Sequence, residues 1–112
     1  MKRYEGILLC TDLDGTLLNN DRYDFIRSEK NLYEILPRGV NKGTALQNLV
    51  QYLGMDMRNT VAAGDYDNDI QMLRTAGIGY AVANARQDVK EAADCVTVSN
   101  QEHAIAAIIA EL

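Results

Sequence analysis

The sequence predicts an α/β domain built on a small parallel sheet, and three observations carry that expectation. Short apolar runs alternate with stretches of helical period through the second half of the chain. The connections between them are short, which implies right-handed βαβ units and a parallel sheet. Two of the apolar runs end in turns that bear aspartates, Asp12-Leu13-Asp14-Gly15 and Gly64-Asp65. In sheets of this kind ligands bind beyond the C-terminal ends of the strands. Both turns fall there.

The elements follow in order. Ile7-Leu8-Leu9-Cys10-Thr11 is a continuous apolar run, the pattern of a strand covered on both faces. Residues 19–30 are polar and charged without a clear period and read as a loop. Residues 32–36 read as a short strand that Pro37 and Gly39 end. From Asn41 the pattern turns helical: Leu46, Leu49, Val50 and Leu53 recur at steps of three and four, and Gly54 is the stop. Residues 60–63 read as a small buried strand. A helix starts near Asn68, with Ile70, Leu73 and Ala76 on one face and Gly77 as its end. A strand over 80–83, a short helix over 87–93 and a last strand over 95–98 complete the alternation. Asn100 then caps a final helix in which Ile105, Ile108, Ile109 and Leu112 share a face.

A chain of 112 residues, 47% apolar, accommodates one compact domain with a real core. Its net charge of −5 argues against a nucleic-acid partner, which requires clustered Lys and Arg. Cys10 and Cys95 both lie in apolar runs and read as two buried free thiols of a reducing, cytoplasmic compartment. The single His103 does not complete a zinc site. The start, Met1-Lys2-Arg3-Tyr4-Glu5, leads into too short an apolar run for a signal peptide or a membrane span.

The carboxylates suggest chemistry. Asp12 and Asp14 flank Leu13 and point to the same side of an extended strand end. Asp65 and Asp69 flank a turn that enters a helix. If the two strands are neighbours, as many as four carboxylates converge on one crevice. Two such charges about 4 Å apart repel by roughly 1–4 kcal/mol, so the cluster calls for a cation. All-oxygen ligation selects a hard ion, and Mg²⁺ is the usual partner when a phosphate completes the shell. Taken singly, an aspartate in a turn or at a helix start is more often structural, and Asp67 is left on that side. Lys42 has a plain reading too, as a solvated lysine in the first turn of a helix. The helix dipole disfavours a cation there, which points to a functional reason.

Three segments carry a resemblance. Asp12-Leu13-Asp14-Gly15-Thr16-Leu17-Leu18 resembles the first signature motif of the haloacid dehalogenase-like phosphatases. Gly39-Val40-Asn41-Lys42-Gly43 is similar to their lysine motif in the Cof-like branch. Gly64-Asp65-Tyr66-Asp67-Asn68-Asp69-Ile70-Gln71-Met72-Leu73 is similar to that branch's acidic motif, and Asn84-Ala85, Val89-Lys90 and Ala93-Asp94 continue the likeness. The resemblance implies a minimal Rossmann-like core, a small and mostly parallel sheet flanked by helices, with Mg²⁺ as cofactor. It makes Asp12 the nucleophile that forms an aspartyl-phosphate, and Asp14 the general acid and then base. Lys42 neutralises the nucleophile and the phosphoryl oxygens, while Gly15 and Thr16 offer backbone N–H groups to the phosphate. Asp12, the Asp14 carbonyl and Asp65 hold the metal, with Asp69 and Asn68 in support.

The family pattern also includes, after the first motif, a strand ending in Ser or Thr and then a long cap domain. Here about two dozen residues separate Leu18 from Lys42. No strand-like run lies between Asn19 and Lys30, and Ser28 is a poor stand-in for the hydroxyl. The expectation is a single capless core in which 19–36 is a short connection. Two functional readings stand. One is a Mg²⁺-dependent phosphatase of small phosphorylated metabolites, slow and of low selectivity. The other is a catalytically impaired remnant that binds metal or assembles with other chains. With the second-motif strand missing, the strand ending at Thr11 lies at a sheet edge and predicts a homo-oligomer through that edge.

Overall fold

The structure, a computed structural model, describes residues 22–112. It opens with an antiparallel hairpin, β1 (Tyr23–Glu29) and β2 (Leu32–Pro37). Helix α1 (Lys42–Leu53) follows, then strand β3 (Val61–Gly64), a 3₁₀ turn (Asp67–Asp69) running into α2 (Ile70–Thr75), and β4 (Ile78–Ala81). Helix α3 (Gln87–Ala92), β5 (Cys95–Val96), a 3₁₀ turn (Asn100–Glu102) and α4 (Ala104–Glu111) complete it. Strands β3, β4 and β5 form a parallel sheet in sequence order. This is the expected α/β architecture. The strand expected over 7–11 lies outside the described residues.

The hairpin corrects the reading of 19–30 as a loop, for the part described, while β2 is the strand expected over 32–36. Phe25 and Ile26 are adjacent, and Asp24, Arg27 and Glu29 surround them, so β1 has no period of two to read. It is a strand because β2 pairs with it across a tight turn. Phe25 faces Ile35 and Arg27 faces Tyr33, with the Arg27 guanidinium 5.3 Å from the ring centroid. The register slips between Arg27 and Glu29, which leaves Ser28 as the extra residue of a bulge. The Ser28 hydroxyl donates to the Leu32 carbonyl at 3.4 Å. At the other end Asp24 accepts the Gly39 N–H at 2.8 Å, tying the hairpin to the approach of α1.

Helix α1 begins on a reciprocal cap. The Asn41 side chain accepts the Thr44 N–H, and the Thr44 hydroxyl accepts the Asn41 N–H, both at 3.0 Å. Gly54 closes the helix in the left-handed conformation, as expected. Gly43 and Val50 are buried and Leu46 is half-buried, whereas Leu49 and Leu53 are more than half exposed. The covered stripe is therefore narrower than the apolar period suggests. Gly43 sets that geometry: a Cβ there would lie 2.7 Å from the Gln71 backbone oxygen, so only glycine lets α1 approach α2 this closely.

The core is lined largely by small side chains: Ala62, Ala81, Ala85 and Ala104 surround Leu73, Val82 and Val89. Met72 packs against this cluster. The small residues decide how α4 sits. It docks through Ala104 and Ile108, while Ile105, Ile109 and Leu112 are exposed, so of the expected apolar face only Ile108 is buried and the rest is turned outward. Strand β4 starts two residues earlier than expected, and β5 ends two residues earlier. α2 ends at Thr75, short of Gly77. Cys95 is exposed, not buried, because β5 is a two-residue strand at the end of the described sheet, with Val96 beside it 54% exposed. Cys10 lies outside the described residues. Among the described residues no helix is long and apolar enough to cross a membrane.

Candidate active site

The site is built where β3 stops. After Gly64 the chain turns through Asp65 and Tyr66 into the 3₁₀ turn. Asp69, at the end of that turn, folds its carboxylate back over it. Its Oδ2 accepts the N–H of Asp65 at 3.0 Å and of Tyr66 at 3.3 Å. Gly64 makes the room, since a Cβ there would run into the Asp69 side chain. The other oxygen, Oδ1, accepts Lys42 Nζ at 2.6 Å. Lys42 comes from 27 residues earlier, placed as the first residue of α1 by the Asn41 cap and the Gly43 contact. The lysine side chain is half exposed and the Asp69 side chain is 7% exposed. This is a charge-assisted hydrogen bond reaching into a partly dry pocket.

The two carboxylates differ in their electrostatics. Burial pushes the Asp69 carboxyl up, but Lys42 and the Asp65 and Tyr66 N–H groups outweigh it and hold it below the usual range. Burial, and then the charge of Asp69, push Asp65 above its ordinary value, with Lys42 offsetting only part. A carboxylate in that situation is relieved by a cation beside it. The donor set fits a hard ion: Asp65 offers a carboxylate oxygen, while Asp69, with both oxygens engaged, suits a supporting place. Among the described residues no group of three or more Asp, Glu, His or Cys could hold a metal alone.

The fold thus brings together Lys42, Asp65 and Asp69. Asn68, with Asn41 and Asp67, lines a cleft of about 690 Å³ between this turn and the hairpin. Asp12, Asp14, Gly15 and Thr16 lie outside the described residues. Reading the sequence missed Arg86, whose guanidinium carbon sits 5.2 Å from the centre of the Tyr66 ring. No spacing marks it; the Asn84-Ala85 pair just before it was the nearest signal. Asn84 itself accepts the Asn100 N–H at 3.0 Å, a tie between two loops.

A sequence profile of the haloacid dehalogenase-like hydrolases matches residues 20–109. The chain belongs to that family. The match takes in the hairpin as well as the lysine and acidic motifs. Phosphatase YwpJ of Bacillus subtilis is 40% identical over 87 residues, which cover 78% of this chain and 30% of that protein. The 5-amino-6-(5-phospho-D-ribitylamino)uracil phosphatase YcsE of the same organism is 39% identical over 115 residues, 95% of this chain and 46% of its own length. Among solved structures, a haloacid dehalogenase-like hydrolase from B. subtilis superimposes with a TM-score of 0.78 at 38% identity, covering 81% of this chain and 32% of that one. A HAD subclass IIB sugar phosphatase gives 0.77 at 31% identity, covering 81% and 35%. The chain spans about a third of the length of the curated relatives it matches first.

Proposed function

We propose that this member of the family is a cytoplasmic, Mg²⁺-dependent phosphoric monoester hydrolase acting on small phosphorylated metabolites. The observation that carries the reading is the Lys42–Asp69 hydrogen bond at the C-terminal end of β3, with Asp65 beside it. It joins two motifs far apart in sequence at the end of a parallel strand where such sheets bind ligands. The names of the similar phosphatases support the same reaction class.

In this mechanism Asp12 attacks phosphorus in line and forms an aspartyl-phosphate, while Asp14 protonates the leaving alcohol. Asp14 then takes a proton from the water that hydrolyses the intermediate. Lys42 spreads positive charge over the nucleophile and the phosphoryl oxygens, and its bond to Asp69 fixes its direction. Gly15 and Thr16 present backbone N–H groups to the phosphate. Mg²⁺, held by Asp12, the Asp14 carbonyl and Asp65 with Asp69 and Asn68 in support, would neutralise the phosphate and orient it for attack. The second-motif hydroxyl has no counterpart in the segment 19–36. Losing one hydrogen bond to a charged group costs about 1.5–3 kcal/mol, a slowing of roughly 10- to 150-fold if it acts in the transition state. A slow enzyme follows.

Turnover of an aryl phosphate with and without Mg²⁺, for the wild-type chain and Asp12→Asn, tests this. We expect Mg²⁺-dependent turnover that the variant loses while keeping its circular dichroism spectrum. A variant retaining more than about a tenth of the rate, the loss of one decade being some 1.4 kcal/mol, removes Asp12 from the nucleophile's role.

The exposed apolar residues Leu49 and Leu53 of α1, Ile105 and Ile109 of α4 and Leu112 just after it favour the second reading, an impaired domain that assembles with other chains. Its sign would be a stable assembly with no turnover.

A further inference from the structure

The acidic turn is also held from outside, by a residue with no part in the mechanism above. The Arg86 N–H donates to the Asp65 carbonyl at 3.4 Å. Its guanidinium carbon lies over the Tyr66 ring, 5.2 Å from the centroid, and its Nε lies 3.4 Å from Asp67 Oδ1. That Asp67 oxygen is buried and, among the described residues, accepts no hydrogen bond, and Arg86 brings a cation to face it. A contact of the same length to Asp88 Oδ1 belongs to the first turn of α3 and would by itself make Arg86 a local helix residue. The other three contacts reach out of α3 to Asp65, Tyr66 and Asp67, three consecutive residues of the turn. Asp69 holds the inner side of the same turn through the Asp65 and Tyr66 N–H groups, and Arg86 meets it from the opposite side.

We propose that Arg86 is a positioning residue that clamps the Asp65–Tyr66–Asp67 turn from the far side, keeping Asp65 in place to bind Mg²⁺. The inference rests on the Mg²⁺-dependent reading of the site. The clamp has two components, a cation over the Tyr66 ring and a charge opposite Asp67. Arg86→Met removes the charge and with it both attractions, and Arg86→Lys restores the charge without the planar guanidinium fork.

The experiment uses the full chain and three measurements. Amide hydrogen exchange at Asp65 and Tyr66 is followed without metal, the Mg²⁺ concentration giving half the melting-temperature rise is titrated, and kcat and KM are measured on an aryl phosphate. Arg86→Met should speed exchange at those two amides by about tenfold while leaving the Ala81 amide unchanged. It should raise the half-saturating Mg²⁺ about tenfold, as loss of an outer-shell support does, and lower kcat with KM within about twofold. Arg86→Lys should fall between. Removing the Tyr66 ring as well, by Tyr66→Leu, should add less than its effect in the wild-type chain, since the two side chains act as one unit. Unchanged Mg²⁺ half-saturation in Arg86→Met, with a responsive wild type, overturns the clamp even if overall stability drops. A wild-type chain that shows neither Mg²⁺ response nor turnover overturns the phosphatase reading separately. Exchange then decides the clamp: acceleration confined to Asp65 and Tyr66 supports it, and none overturns it.

Discussion

At Asp69 a buried carboxylate meets donors from two directions, the N–H groups of its own turn and an ammonium from another helix. Asp65, one turn earlier, bears the consequence, because the charge stabilised on Asp69 helps push its own carboxyl up. A divalent cation at Asp65 relieves that cost only in the folded chain. Mg²⁺ should therefore raise the melting temperature, by an amount that grows with concentration above the dissociation constant. Asp65→Ala should abolish the rise. A wild-type melting temperature flat from zero to several millimolar Mg²⁺ would count against a preformed site. Asp65, Asp69 and Lys42 were legible in the sequence because strand end, turn and helix start carry their own local signals. Arg86 was not, since its partners Tyr66 and Asp67 are reached through the sheet and no sequence spacing encodes that contact.

Among the elements, α1 was read nearly to the residue, because a cap and a stop frame it. The hairpin was missed, because pairing rather than pattern makes β1 a strand. The outward turn of α4 was missed for a related reason. The larger side chains define an apolar face, but alanine-lined surfaces decide which side can come close. Gly43 is the element-scale test of site placement. Gly43→Ala sets a methyl against the Gln71 backbone, which cannot swing aside as a side chain could. We expect a loss of about 1–3 kcal/mol in urea unfolding and slower turnover, since Lys42 moves with α1. Unchanged stability would show that the two helices can separate freely. A second test lies before α4. The Ser99 N–H donates to Glu102 at 3.0 Å, and the Ser99 backbone and then its hydroxyl hold the Glu102 carboxyl below its ordinary 4.5. A lowered folded value means stability fully present above 4.5 and lost as pH falls through the depressed value. The urea midpoint of Glu102→Gln should thus lie below wild type at pH 7, and the gap should close in acid.

For the whole molecule the question is what meets the apolar surface of α1 and α4, and what lies beside β3. Within the described residues β3 pairs on one side only. We propose that Ile7-Leu8-Leu9-Cys10-Thr11 supplies the next strand, and that its own outer edge joins two copies of the chain. That run has no proline or charge to discourage pairing with another chain. Light scattering at micromolar concentration should give a dimer, and a monodisperse species of 12.4 kDa would rule it out. The overall α/β class was legible because it rests on alternation, which survives errors of two residues at any boundary. The expected homo-oligomer rests on the run Ile7-Leu8-Leu9-Cys10-Thr11, which lies outside the described residues.

The close contact of Gly43 with Gln71 also bears on how this sequence can change over time. Lys42 is anchored at the start of α1, so the exposed segment Gly54-Met55-Asp56 that leaves the helix carries none of the burden of aiming it. Lengthening a loop costs only about 0.6 kcal/mol per doubling. New residues spliced there would leave the ammonium over the carboxylate, whereas one methyl group at position 43 would not. The chain is permissive where it is exposed, and intolerant where a glycine lets two segments meet.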